Sequence, residues 1–200
     1  PEQQLYQVSI PLPIMPRTEA TAYLSVLQAL TDMTGATHPG LLIETHGRYG
    51  ERYNVDLSQT VGWFTLLMPL AGTTNEEIDA TLQLDSATKL AYGSAIQRGL
   101  LDHAAEPRVI VNYLGKSNMS GYAMRRGGQE RPIDKEIMEL SIYEDETRLH
   151  VELLLYATPT DVEFGPKLLA GITGQFAASA AGLEEDRLQA ILQRIRGSNG

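Results

Sequence analysis

The chain has 200 residues and a mass of 22.0 kDa, enough for one domain or two small ones. It has no cysteine, which excludes disulfides, thiolate zinc sites and a cysteine nucleophile and suits a reducing compartment, so a cytoplasmic location is expected. A net charge of −9 and a pI near 4.9 oppose phosphate backbones, and the apolar runs fall far short of a bilayer span, so neither nucleic acid nor membrane is expected as a partner.

Pro1-Glu2-Gln3-Gln4 lacks a starting Met and carries no basic region leading into an apolar one. It does not read as a signal peptide, and the expectation is a chain that begins inside a longer polypeptide. Residues 5–10 alternate as a strand, and Pro11, Pro13 and Pro16 then mark an extended connector. Thr18 reads as an N-cap for a helix that places Ala20, Tyr23, Leu24, Leu27, Leu30 and Met33 at helical spacing and stops at Gly35.

Residues 41–44 read as a buried strand, 49–59 as a polar loop and 61–70 as an apolar strand closing with Pro69. Asn75 is expected to cap a helix to about Leu84, with Glu76 and Glu77 at its positive end. Residues 90–101 are ambiguous, because Tyr92-Gly93 interrupts what is otherwise a short helix. Residues 108–114 form a strong strand pattern and 119–124 a weaker one, followed by a charged loop over 125–132. Residues 137–143 and 149–156 alternate with period two around Glu144-Asp145-Glu146, a hairpin pattern. Asp161 opens a helix with Phe164, Leu168, Leu169, Ile172 and Phe176 on its apolar face. Gly182 is expected to break it, leaving 183–195 as a separate amphipathic helix with Leu188, Ile191, Leu192 and Ile195 on one side. The order predicts an α/β domain with helices packed mainly on one face of a sheet.

Glu44 stands out because it ends the apolar run Leu41-Leu42-Ile43 and is followed by His46, Gly47 and Arg48. A carboxylate at the mouth of a buried strand suits general acid–base work, and a strand-end Glu paired with Arg48 in water is the plainer reading. The four histidines, His38, His46, His103 and His150, share no ligand-like spacing, so no metal is expected. The run around Trp63 and Thr65 either faces a ligand channel or forms a core strand. Asn112 and Tyr113 fall on opposite faces of one strand, so that one can meet a pocket while the other meets the core. Gly127-Gly128 is too weak a signal for phosphate binding, and no G-x-S-x-G elbow occurs.

Three segments in order, E-T-H-G-R from Glu44, D-L-S-Q-T-V-G-W-F-T-L-L-M-P-L from Asp56 and V-I-V-N-Y-L-G from Val109, resemble the C-terminal half of the epimerization domains of nonribosomal peptide synthetases, members of the condensation-domain superfamily. Ala91-Tyr92-Gly93 and Tyr156 fit the same pattern. Plain condensation domains carry a V-G-x-F-V-N-T version and an H-Q-D motif that this chain lacks. Thr45 and Leu70 depart from the family's usual glycine and valine, and the family's H-H-x-x-x-D-G motif has no counterpart here, since the chain has no His-His pair.

The resemblance implies a chloramphenicol-acetyltransferase-like lobe over residues 1–200, with a mixed, mostly antiparallel sheet, and an absent N-terminal lobe that carries the catalytic histidine. It implies that a peptidyl carrier protein delivers an aminoacyl or peptidyl thioester on its phosphopantetheine arm, with no cofactor bound by the lobe itself, and that neighbouring synthetase modules are partners. By resemblance Glu44 handles the Cα proton, with Asn112 and Tyr113 either hydrogen-bonding the enolate oxygen or orienting Glu44. His46 and Arg48 fix the following loop beside the tunnel, and Thr65 and Trp63 line the tunnel. The lobe alone is expected to be inactive. A condensation or acyltransferase lobe and a non-catalytic docking lobe are the competing expectations.

Overall fold

A computed structural model describes residues 4–13, 18–36, 40–50, 54–62, 65–70, 72–98, 109–116, 138–155 and 163–197. The strands are β1 (Gln4–Pro11), β2 (Leu41–His46), β3 (Thr65–Pro69), β4 (Val109–Lys116), β5 (Met138–Glu144) and β6 (Arg148–Leu155). The helices are α1 (Thr18–Thr34), α2 (Asn75–Leu82), α3 (Ser86–Gln97) and α4 (Phe164–Gly197).

The strands form one six-stranded sheet in the order β1-β6-β5-β4-β2-β3. The β5–β6 hairpin is antiparallel, with Ile142 opposite Val151, and β1 adds antiparallel to β6 with Val8 opposite Val151. β4 lies parallel to both β5 and β2, and β3 closes the far edge antiparallel to β2. The parallel pairs sit in the middle, where crossover segments must return the chain, and the edges are antiparallel. The expected mixed, mostly antiparallel sheet is the one observed.

Side chains alternate across each strand, so one set faces the helices. Leu41 and Ile43, Val109 and Val111, Leu140 and Ile142, and Leu149, Val151 and Leu153 make that face. Ala22, Val26, Ala29 and Leu30 of α1, Ile78 of α2, and Leu168, Ile172 and Phe176 of α4 cover it, with Tyr92 of α3 packed against the same core. At about 25 cal/mol per Å² of apolar area this burial is the main force holding the helices to the sheet.

Several boundaries differ from the sequence expectations. Residues 61–62 are outside β3, and Val61 is 98% exposed. Thr74, not Asn75, caps α2, its hydroxyl accepting from the Glu77 amide, while the Glu77 carboxylate accepts from the Thr73 amide at 2.7 Å. α3 runs straight through Tyr92-Gly93. α4 is one helix of 34 residues that Gly182 does not break. An interior glycine costs only about 1 kcal/mol relative to alanine, and the alanines around it favour the helix. The strand expected at 119–124, the loop at 125–132, the Asp161 start, Trp63, Tyr156, His38 and His103 lie outside the described residues. Among the described residues no helix is long and apolar enough to cross a membrane.

Candidate functional site

The sheet's second face, turned away from this core, carries Glu44 and Asn112. Both are half-buried, at the ends of the apolar stretches Leu41-Leu42-Ile43 and Val109-Ile110-Val111. Because β2 and β4 are parallel with Ile43 beside Val111, the next residues, Glu44 and Asn112, are neighbours on this face. The Asn112 amide donates from Nδ2 to Glu44 Oε2 at 2.6 Å. The register extends the line: Asn112 lies beside Ser141, Ser141 opposite Glu152, and Glu152 opposite Gln7. A polar row therefore crosses five strands, with Gln7 Nε2 donating to Glu152 at 2.8 Å at its far end.

Tyr113 points to the other face, where its hydroxyl donates to Glu144 at the end of β5. Its ring lies 6.1 Å from that of Tyr23, tilted by 53°. Tyr23 in turn bonds to the Glu19 carboxylate. Burial and then the Glu19 charge hold the Tyr23 phenol well above its ordinary pKa. Burial, followed by the Asp79 charge, raises Glu19, with Lys89 opposing. Burial also raises Glu144. Neither Glu19 nor Glu144 was singled out by sequence patterning. Glu144 reads as a turn residue in the sequence, and its partner is 31 positions away.

His46 is exposed and faces Tyr49 with ring centroids 5.1 Å apart. It is also the register partner of Thr65, so those two residues lie side by side beyond Glu44. Arg48 Nη1 donates to the carbonyls of Leu57 at 3.1 Å and Thr60 at 3.0 Å, tying the loop to the end of β2. That loop walls an open cavity of about 620 Å³ lined by Arg48, Gly50, Val55, Asp56, Leu57, Ser58 and Thr60. Glu44 and Asn112 are not in its lining. The structure thus joins Glu44 with Asn112 and His46 with Thr65, puts Tyr113 on the opposite face, and gives Arg48 to the loop.

A second polar cluster sits at the β1 edge. His150 Nε2 bonds Asp145 Oδ2 at 2.8 Å, His150 Nδ1 meets Ser9 Oγ at 2.9 Å, and the Tyr143 ring stacks on the imidazole at 4.8 Å. The bond from His150, with the Thr147 amide, holds the Asp145 carboxyl well below its ordinary pKa. Among the described residues no group of three or more His, Asp or Glu side chains is arranged to hold a metal ion.

A six-stranded mixed sheet with this connectivity, backed by helices on one face, is a chloramphenicol-acetyltransferase-like fold. The epimerization domain from the third module of tyrocidine synthetase B matches it with a TM-score of 0.59 at 17% identity, over 91% of this chain and 48% of that one. The starter condensation domain of rhizomide synthetase matches with a TM-score of 0.58 at 12% identity, over 88% of this chain and 46% of that one. At such identities the likeness establishes the fold, and this chain spans about half the length of either domain. In sequence, malformin synthetase of Aspergillus niger is 36% identical over 74 residues, covering 37% of this chain and 2% of that protein. No protein-family model matches the chain.

Proposed function

We propose that this chain is the Glu44-bearing lobe, the C-terminal one, of an epimerization domain that converts a carrier-bound L-aminoacyl or peptidyl thioester to the D form. The observation that carries the reading is the 2.6 Å bond from Asn112 to Glu44, on the sheet face turned away from the core. The motif resemblance and the overlap with an epimerization domain support it.

The chemistry follows from the thioester. Its carbonyl acidifies the adjacent Cα–H, because the electron pair left behind delocalises onto oxygen as an enolate. One group takes the proton, and a second group returns one from the opposite face. Two acid–base groups on facing walls satisfy this requirement, and Glu44 supplies one of them. Asn112, by donating to Oε2, fixes the carboxylate's orientation and leaves Oε1 for the substrate, so the base is positioned before the thioester arrives. The second group is a histidine from the other lobe of the domain. The substrate arrives on the phosphopantetheine arm of a carrier protein, the lobe itself holding no cofactor. Thr65 and His46 border the path of the arm, and Arg48 holds the loop beside it.

Glu44→Gln in the intact two-lobed domain tests the reading. With a loaded carrier protein, the D product should disappear while the variant folds and binds carrier normally. Near-parental conversion to the D form removes Glu44 from the reaction. A fold likeness to a starter condensation domain, nearly equal to that of the epimerization domain, supports a second reading, a condensation lobe in which Glu44 is structural. Transfer of the acyl group between two carriers, without D/L exchange on one, selects it. Normal carrier binding by an intact domain that never turns over selects a docking lobe instead.

A further inference from the structure

β4 loses its ladder to β2 after Val111, which pairs with Ile43. Its register against β5 shifts between Tyr113 and Lys116. Gly115, inside that shift, has φ +68°, a conformation that favours glycine. Asn112 and Tyr113 are the last residues of β4 paired with β5 before that shift, opposite Ser141 and Ile142, and on the β2 side the ladder has already ended, so side-chain bonds add to the hold on this end of the strand. Asn112 ties β4 to β2 through Glu44, and Tyr113 ties β4 to β5 through Glu144. The two residues are adjacent and point to opposite faces. A twist of β4 that frees the phenol also swings the amide away from Glu44.

We propose that Glu144 is a positioning residue for the Glu44 centre: through the Tyr113 hydroxyl it fixes the end of β4 and so holds the Asn112 amide on Glu44. It rests on the reading of Glu44 as a proton-transfer group. Glu144 itself touches no substrate. It is 7% exposed, so its side chain is confined, and the Tyr113 ring is braced from behind by Tyr23. In either protonation state the carboxyl keeps an oxygen that accepts from the phenol, so the brace does not depend on charge. Gln keeps an oxygen at that place. Leu fills a similar volume and accepts nothing.

In the intact domain, supplied with an aminoacyl-loaded carrier protein, Glu144→Leu is expected to lower kcat about tenfold with KM for the carrier unchanged. Glu144→Gln should stay within about twofold of the parent. Tyr113→Phe should reproduce the Leu variant, and the double variant should be no slower than either single one. Melting separates this role from a structural one: Tyr113→Phe deletes a hydroxyl and opens no cavity, so it should melt close to the parent while kcat falls, whereas a structural residue loses stability and activity together. If Glu144→Leu does not fold, Tyr113→Phe, which deletes only a hydroxyl, decides. Parental kcat in Tyr113→Phe or in folded Glu144→Leu, with Glu44→Gln inactive, overturns the inference. Parental turnover in Glu44→Gln overturns the reading of Glu44 instead. The Asn112 side-chain amide resonances then judge the brace alone: a shift in Tyr113→Phe upholds it and an unchanged spectrum overturns it.

Discussion

The side-chain amide of Asn112 donates to Glu44 across 2.6 Å, joining two parallel strands at the point where their backbone ladder ends. A bond to a charged acceptor is worth about 1.5–3 kcal/mol, roughly ten- to hundredfold in a rate that depends on it. Asn112→Ala is expected to lower epimerisation kcat of the intact domain by about that factor while shifting the melting temperature little, because the side chain is only half-buried. Steady-state kinetics with loaded carrier protein, beside a melting curve, check both halves of the expectation. A variant that loses stability and keeps its kcat shows that Asn112 serves the sheet alone.

Much of the fold was legible in local pattern. The alternation of β5 and β6, the apolar runs of β2 and β4 and the helical spacing from Ala20 to Met33 follow directly from which face of each element is buried. What the pattern could not place were boundaries governed by single bonds. Thr73, Thr74 and Asn75 are all capping types, and only the Thr74 hydroxyl's bond to the Glu77 amide selects Thr74. Gly182 and Gly93 look like breaks, yet their neighbours keep the helix going. For the site, the resemblance put Glu44 and Asn112 in one cleft, but a contact across 68 positions exists only once β2 and β4 are aligned. The role of Glu144 is hidden in the sequence for the same reason. A glutamate beside Asp145 and Glu146 looks like turn, and its burial comes from the last residue of β5 facing inward.

Asp145 organises the turn between β5 and β6. Its carboxylate accepts from the Thr147 amide at 2.7 Å, the Arg148 amide at 2.8 Å and His150. These bonds hold its folded pKa below the unfolded value of about 3.9, so its contribution to stability is complete above that pH and is lost as pH falls through the lower folded pKa. Asp145→Asn should therefore lower the melting temperature at neutral pH, and the gap to the parent should narrow as the solution is acidified below about pH 4. A gap that stays constant across the titration rules out the charged form as its source.

Glu19 behaves in the opposite sense. Burial and the Asp79 carboxylate raise its folded pKa above the unfolded value of about 4.3. A raised carboxyl favours folding below the unfolded pKa and loses that advantage as pH rises through the folded pKa. At neutral pH the ionised group is a burden, relieved in part by Lys89 and by the bond from Tyr23. Glu19→Gln keeps an acceptor for Tyr23 and removes the charge. It is expected to be more stable than the parent near pH 7 and no more stable near pH 4, as measured by urea unfolding at the two pH values. Lower stability at pH 7 would mean that the Lys89 attraction outweighs burial.

Gly50 lets the loop after β2 close on itself. A Cβ at that position would lie 2.2 Å from the Val55 carbonyl oxygen and 2.8 Å from the Leu57 side chain. The Val55 amide donates to the Gly50 carbonyl at 3.0 Å, so moving Val55 away from a new Cβ strains or breaks that bond. Leu57 and Thr60, on the same loop, offer their carbonyls to the Arg48 guanidinium. Gly50→Ala must therefore open the turn and pull those carbonyls away from Arg48, at a cost on the order of 1–3 kcal/mol. The core of α1, α4 and the β5–β6 hairpin is built without this loop, so the variant should still fold, with a lower denaturation midpoint. Limited proteolysis should then cut near residues 54–62 sooner than in the parent, while Arg48→Ala, which releases the same carbonyls without a clash, should show the same new cleavage. If Gly50→Ala is cut no faster than the parent, the loop has a second closed form and the glycine is not what shapes it.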